Sequence, residues 1–236
     1  SLAELRTRGF KAFYLAIGAR SGRKLGIEGG FLGTIYPVNG RGGTVWELPA
    51  FASVAEVPEA PDLALIAVKA SQVNAALAQC GERGVRAALV VAAGFSEAGE
   101  DGAALEAELV ETARRWGITL IGPNCMGLLS VHSHLHAVGF LELRPVAGRL
   151  SIVTQSGNIG VQLVTRAERR GIGIDKYVSV GNQASTSALD VLDALGDDPQ
   201  TAAALVYLEG IGDGRHFLDV ARRITRKKPV VVLRSG

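Results

Sequence analysis

Cysteine is scarce in this 236-residue chain. Only Cys80 and Cys125 occur, in unrelated surroundings, so neither a disulfide framework nor a cysteine-based metal site can be read from them. An excess of one charge is missing as well: 25 Lys and Arg stand against 23 Asp and Glu, a net of +2, and nothing points to nucleic acid. No apolar run approaches the ~20 residues of a membrane-spanning helix, and no segment has the pattern of a secretory signal. A protein of the reducing cytoplasm, with no membrane partner, is expected. The one basic run, Arg222-Arg223-Ile224-Thr225-Arg226-Lys227-Lys228, precedes a strand-like segment. It reads as the solvated C-terminus of a helix, where cations suit the helix dipole.

What is present is globular material. Apolar residues make up 47% and charged residues 20%, enough to build a core. The length allows one large domain or two of ordinary size. Thirty glycines fall mostly just after strand-like runs, where α/β proteins place their ligand loops.

Short apolar runs alternate with helix-period segments. Strands are expected at residues 12–17, 34–38, 63–68, 87–92, 118–121, 150–154, 174–180, 203–208 and 230–233; several are continuously apolar, as for strands covered on both faces. Val73, Ala76, Leu77 and Cys80 fall at i, i+3, i+4, i+7 behind Ser71, a good N-cap residue. Leu105, Leu109 and Trp116 mark a second helix; Ile159, Leu163 and Ala167 a third; Leu189, Leu192 and Leu195 a fourth, with Ser187 and Asp190 available for capping; Phe217, Val220 and Ile224 a fifth. Such alternation implies parallel sheets with right-handed crossovers. Residues 130–149 show no helical period and carry Pro145 and Gly148. They are expected to form a linker between a domain at 1–129 and another at 150–236.

Several turns have the composition of ligand loops. Gly18-Ala19-Arg20-Ser21-Gly22-Arg23-Lys24-Leu25-Gly26 follows the first strand, where backbone amides can approach a phosphate. Its spacing is not a clean dinucleotide fingerprint, and a generic turn remains open. The few residues before Gly30-Phe31-Leu32-Gly33 are too short for a crossover helix, so a deleted helix or missing residues are expected there. Gly122-Pro123-Asn124-Cys125-Met126-Gly127 is a tight turn at a strand end, with Cys125 reading better as a buried, inert thiol than as a nucleophile. Thr154-Gln155-Ser156-Gly157-Asn158-Ile159-Gly160 joins strand to helix, and Ser156 with the following amides suits an anion; an ordinary N-cap is the alternative. Val178-Ser179-Val180-Gly181-Asn182-Gln183 is a neighbouring exit of the same kind. Glu209, in Leu208-Glu209-Gly210-Ile211, is either a surface turn residue or a carboxylate that orients an imidazole. His132, His134 and His136 would share a face in a strand, but no further ligand of convincing spacing joins them, and no metal is expected. His216 reads as exposed on the fifth helix.

Taken in order, Tyr36-Pro37-Val38-Asn39, Ala92-Ala93-Gly94-Phe95-Ser96-Glu97, Gly122-Pro123-Asn124-Cys125, Ser151-Ile152-Val153-Thr154-Gln155-Ser156-Gly157, Ser179-Val180-Gly181-Asn182, Asp197-Asp198-Pro199 and Leu208-Glu209-Gly210-Ile211 resemble the CoA-ligase part of the NDP-forming acyl-CoA synthetases, the superfamily of the succinyl-CoA synthetase α subunit. The resemblance implies an α/β protein: a Rossmann-like CoA-binding domain followed by a flavodoxin-like domain. It implies that acyl-CoA and phosphate give an acyl phosphate, that the phosphoryl group passes to a histidine, and that a separate ATP-grasp domain or subunit, with ATP or ADP and Mg, completes the reaction. An oligomer is also expected.

By position, the resemblance assigns Gly18, Ala19, Arg20, Lys24, Val38, Asn39 and Arg41 to the nucleotide end of CoA, and Ala67, Val68, Ala92, Ala93 and Gly94 to the pantetheine path. It assigns Asn124, Cys125, Ser156, Gly157, Asn158, Gly181 and Asn182 to the acyl and phosphate groups. Glu209 becomes the catalytic carboxylate that steadies the phosphohistidine. The chain departs from the family pattern in three places: Arg20 stands for a serine, Gly40 for a proline after Asn39, and Lys69 for a proline after the third strand. All three surround the expected CoA site. None of the four histidines matches the phosphorylated one, which in the family would follow Arg234-Ser235-Gly236, so this chain alone is not expected to complete the relay. The other readings are a non-catalytic CoA-binding or regulatory module and, ranked lower, an NAD(P)-binding oxidoreductase domain. The latter lacks an acidic residue at the end of the second strand, where Asn39 and Arg41 stand.

Overall fold

Runs of Val, Ile, Leu and Ala too short for helices, bounded by glycine turns, form the strands of two sheets. The structure, a computed structural model, describes residues 14–17, 34–45, 48–138 and 145–235. The first sheet is entirely parallel and runs in the order β2-β1-β5-β6-β7, from β1 (Tyr14–Ile17), β2 (Ile35–Val38), β5 (Leu63–Ile66), β6 (Ala87–Val90) and β7 (Thr119–Ile121). A small antiparallel pair, β3 (Thr44–Val45) and β4 (Leu48–Pro49), follows β2; periodicity over so few residues carries no signal, and it was not expected. Helices α1 (Ala70–Glu82) and α2 (Glu100–Trp116) connect β5 to β6 and β6 to β7.

Helix α1 buries Val73, Ala76, Leu77 and Cys80, as their spacing predicts. Its start differs from the expectation. Lys69, in extended conformation, is the N-cap, and Ser71 lies inside the first turn. Gln72 N–H already bonds the Lys69 carbonyl at 2.8 Å, so the chain turns helical two residues before the good capping residue. Together with Ile66, Val90, Phe95, Leu109 and Leu120, these residues form the main core of the first domain.

The second sheet runs β13-β12-β10-β11-β8-β9. Its parallel part is β10 (Ala147–Thr154), β11 (Ile174–Ser179), β12 (Ala203–Leu208) and β13 (Val230–Arg234), connected by α3 (Gly157–Arg169), α4 (Ala188–Asp197) and α5 (Gly214–Thr225). Ser187 and Asp190 form a reciprocal capping box on α4. The basic run ends α5 and ties it to α4: Lys227 reaches Asp197 at 2.7 Å, Arg223 pairs with Asp193, and Lys228 donates to the carbonyls of Leu195 and Asp198.

The expected linker at 130–149 contains regular structure. Strands β8 (Gly127–Ser130) and β9 (Leu135–Val138) make an antiparallel hairpin that extends the second sheet through β11. One face of the hairpin supplies Leu129 and Val138 to the core around Ile152, Val164 and Tyr177. The other brings Leu128, Leu135 and Ala137 against Leu65, Leu89 and Cys125 of the first domain. Absence of helical period described a two-faced strand pair, in which alternate residues serve different domains. The three histidines do not share a strand face. His132 lies in the hairpin turn, with Nε2 3.0 Å from the Gly148 carbonyl; His134 has φ 53°; only His136 is in a strand.

Gly18, Ala19, Arg20 and Lys24, and the connection judged too short for a helix, lie outside the described residues. Among the described residues, no helix is long and apolar enough to cross a membrane.

Candidate active site

Parallel strands deliver their following loops to one edge of the sheet, and at the junction of the two sheets four such loops come together. The loop after β7 meets the loop after β11 backbone to backbone. Asn182 N–H donates to the Pro123 carbonyl at 3.0 Å and Ala184 N–H to the Gly122 carbonyl at 3.2 Å. The Gly122–Pro123 peptide is cis, and Asn124 and Gly181 are left-handed, each with φ 55°. Only glycine fits at 181. A Cβ there would run into the Pro123 carbonyl and lie 2.6 Å from the Asn124 oxygen. The Ser179 hydroxyl accepts from Met126 N–H at 3.0 Å and binds the same two loops further down.

The loop after β10 leads into α3. Ser156 is the N-cap in position, but its side chain makes no capping bond. The first helical bond is Gly160 N–H to the Ser156 carbonyl at 3.0 Å, which leaves the amides of Gly157, Asn158 and Ile159 ahead of it without intrahelical partners. With no acidic residue in the first turn, this end keeps its positive potential. Beneath it lies Tyr177, whose hydroxyl donates to the Gly157 carbonyl at 3.4 Å; burial pushes its pKa up to about 12 and keeps it neutral.

The loop after β12 is joined to this one through Gln155. Gln155 Oε1 accepts from the amides of Glu209 and Gly210, and Nε2 donates back to the Gly210 carbonyl at 3.4 Å. Glu209 is exposed at the strand end, and its carboxylate has no partner among the described residues. The structure thus brings Asn124, Ser156, Gly157, Asn158, Gly181, Asn182 and Glu209 onto adjoining loops. Cys125 is different. Its thiol lies in the core with Leu65 and Leu89, donates to the Val90 carbonyl at 3.2 Å, and is pushed by burial up to about 12. It is no nucleophile, and only its backbone stands on the loop.

The other expected ligand residues follow β2, β5 and β6 at the same edge of the first sheet. Val38 ends β2; Asn39 opens a turn closed by Gly42 N–H to the Asn39 carbonyl at 2.7 Å, and its side chain accepts from Arg41 N–H at 3.1 Å. Ala67 and Val68 follow β5, and Ala92, Ala93 and Gly94 follow β6, where Asn124 N–H bonds the Ala92 carbonyl at 2.9 Å. Gln155 escaped the sequence reading because nothing in a Thr-Gln-Ser triplet tells which loop an amide side chain will bridge. Glu97 and Glu106, which both meet Asn182, escaped because residues on different domains share no spacing.

The halves of this arrangement match known domain families. The CoA binding domain family covers residues 29–130, and the succinyl-CoA ligase like flavodoxin domain covers residues 147–236. The chain is 30% identical over 205 residues to the succinate–CoA ligase [ADP-forming] subunit alpha 2 of Archaeoglobus fulgidus, covering 84% of itself and 68% of that subunit. It belongs to the CoA-ligase (α) portion of the NDP-forming acyl-CoA synthetases. Similarity is higher to the acetate–CoA ligase [ADP-forming] I of the same organism, at 42% over 206 residues, 87% of this chain. The dinucleotide-forming acetyl-coenzyme A synthetase 1 of Ca. Korarchaeum cryptofilum, solved in its apo form, superposes with a TM-score of 0.90 at 33% identity over 98% of this chain. The chain spans 30% of the length of the acetate–CoA ligase and 52% of the Korarchaeum chain.

Proposed function

We propose that this chain is the CoA-binding and ligase part of an acyl-CoA synthetase that interconverts acyl-CoA, phosphate and ADP with a carboxylic acid, CoA and ATP. The observation that carries this reading is the meeting of strand-exit loops at the domain junction: Asn124 N–H bonds the Ala92 carbonyl after β6, Met126 packs against Gly157, and the first amides of α3 have no intrahelical partners. Phosphate held by Ser156 and the amides of Gly157 and Asn158 sits at positive potential. Its oxygen bonds to the thioester carbonyl carbon, the C–S bond breaks, and CoA leaves as the thiol, giving an acyl phosphate. Asn124 orients the acyl group. A histidine supplied outside residues 1–236 then forms a bond to the phosphorus, the P–O bond to the acyl group breaks, and the carboxylate leaves as product. Glu209, exposed and without a partner among the described residues, fixes that imidazole's tautomer and balances its charge. ATP synthesis falls to an ATP-grasp domain or subunit with Mg and ADP.

In this reading the domain boundary lies in the loop at 122–126, with the hairpin belonging to the second domain; the protein is cytoplasmic and oligomeric. The departures Arg20, Gly40 and Lys69 favour one alternative, a module that binds CoA without catalysis.

Melting of the chain with CoA, acetyl-CoA or NAD tests the core of the proposal. A ligand at 100 times its Kd adds about 2.7 kcal/mol to the native state, a rise of about 5 °C or more for a chain of this size. CoA and acetyl-CoA are expected to give it and NAD to leave the transition in place. A shift with NAD alone sinks the proposal.

A further inference from the structure

Asn182 gathers side chains from both domains. Its Oδ1 accepts from Asn124 Nδ2 at 3.2 Å; its Nδ2 lies 2.5 Å from Glu97 Oε2, 2.8 Å from Glu106 Oε2 and 3.1 Å from Ser96 Oγ. Glu97 is engaged on its other side too. Its Oε1 accepts from the amides of Gly94, at 2.6 Å, and Phe95, at 3.2 Å. One planar carboxylate therefore sets the direction of the Gly94 amide with one oxygen and grips the second domain with the other. Glu106, on α2, is held in place by the Ser96 hydroxyl at 2.8 Å.

We propose that Glu97 and Asn182 are positioning residues that form a polarity-matched latch, coupling the loop at Gly94 to the loops at Asn124 and Gly181, so that CoA and phosphate bind cooperatively. This deepens the proposed function and rests on it. In the proposed function Gly94 is on the pantetheine side; its φ is 103°, and its backbone turns freely unless something fixes it. Asn182 stands beside Gly181, whose backbone touches the Pro123 carbonyl. A ligand that settles either loop therefore settles the other through a contiguous hydrogen-bonded chain. Burial alone would raise the Glu97 pKa, but the bonds from Asn182 and from the Gly94 and Phe95 amides outweigh it and hold the carboxyl below its ordinary range. It remains an acceptor at neutral pH. The energetics are those of linkage: what one ligand does to the other's affinity is returned in equal measure.

The polarity of the latch supplies the test. Glu97→Gln keeps a carbonyl for the Gly94 and Phe95 amides but turns an NH2 toward the NH2 of Asn182. Asn182→Asp turns a carboxylate toward Glu97 and Glu106. The double variant restores a donor facing an acceptor, with the direction reversed; Glu106 remains beside Asp at 182, so recovery is partial. The Kd of CoA for the 236-residue chain is measured by calorimetry with and without saturating inorganic phosphate, with circular dichroism as the folding control. In the wild type, phosphate is expected to change the CoA Kd by about fivefold or more, the usual scale of coupled sites. Each single variant brings that ratio below about twofold, and the double variant regains at least half of it on a logarithmic scale. A wild-type ratio near one, or single variants with the wild-type ratio, overturns the latch while CoA binding itself upholds the proposed function. Single variants that lose the ratio and a double variant that fails to regain any of it also overturn the latch. Absence of CoA binding in the wild type overturns both.

Discussion

The two ends of the proposed site are built to different tolerances. At the end proposed for phosphate, loops from both domains touch through their backbones, and Gly181 fills a space that admits no Cβ. At the end proposed for the CoA nucleotide, the turn after β2 is open among the described residues: a Cβ on Gly40 would come no nearer than 4.0 Å to the Ala52 carbonyl oxygen, and at Gly42 and Gly43 it would meet nothing within 4 Å. The difference follows from position. Loops that lie where two sheets meet are constrained by both, whereas a loop at the outer edge of one sheet answers only to its own turn. Sequence variation within the family's pattern is thus expected at the open end, and it is there that Gly40 stands; Lys69 follows the central strand β5 as the N-cap of α1.

The sharpest way to break the contrast is Gly181→Ala. A side chain at φ 55° costs about 1–2 kcal/mol, and the contact with the Pro123 carbonyl adds about 1–3 kcal/mol of overpacking. A loss of about 2–5 kcal/mol in denaturant unfolding is expected. A loss below about 0.5 kcal/mol would show that the loops part easily and that the phosphate end is no more constrained than the other.

How far the sequence disclosed this architecture depends on which residues carried it. The nine apolar runs each became a strand, because short continuous apolar segments bounded by turns suit parallel strands; β13, at the edge of its sheet, keeps that composition although its side chains are largely exposed. The strand-to-loop exits at Gly122, Ser156, Gly181 and Glu209 were visible because glycine and turn chemistry are local. The hairpin β8–β9 was not: Leu128 and Leu129 are adjacent in sequence but serve cores on opposite faces, so the segment shows neither a helical period nor a polar face. Nor were the bridges made by Gln155, Glu97 and Ser179, each of which joins residues more than fifty positions apart or on separate domains, except where Glu97 folds back on its own loop.

A second prediction separates phosphate binding from mere packing at the tight end. The Ser156 side chain makes no capping bond, so Ser156→Ala should leave stability within about 0.5 kcal/mol of wild type. If the hydroxyl meets phosphate, its loss removes a hydrogen bond to a charged group, about 1.5–3 kcal/mol, or more than about tenfold in the phosphate Kd. Calorimetric titration with inorganic phosphate reads the change. A wild-type chain that binds CoA but shows no phosphate binding would favour the non-catalytic module instead.

The smallest effect is expected at the open end, and its sign is opposite. Gly42 N–H bonds the Asn39 carbonyl three residues back, which places Gly40 at the second position of a β-turn. Proline is favoured there because its fixed φ of about −65° is the one that types I and II require. Gly40 is not left-handed, its neighbourhood is empty to 4.0 Å, and its amide makes no backbone bond among the described residues. The proline that the family pattern carries should therefore fit, and Gly40→Pro should stabilise the chain by about 0.4–1 kcal/mol by narrowing the unfolded ensemble. The same substitution bears on the CoA pocket: a turn held in one conformation presents Asn39 and Arg41 with less entropy to lose, so the CoA Kd should fall about twofold or more. Stabilisation with no gain in affinity would place the nucleotide end of CoA away from this turn. Destabilisation would mean that the turn is not the open, self-determined element that its surroundings describe.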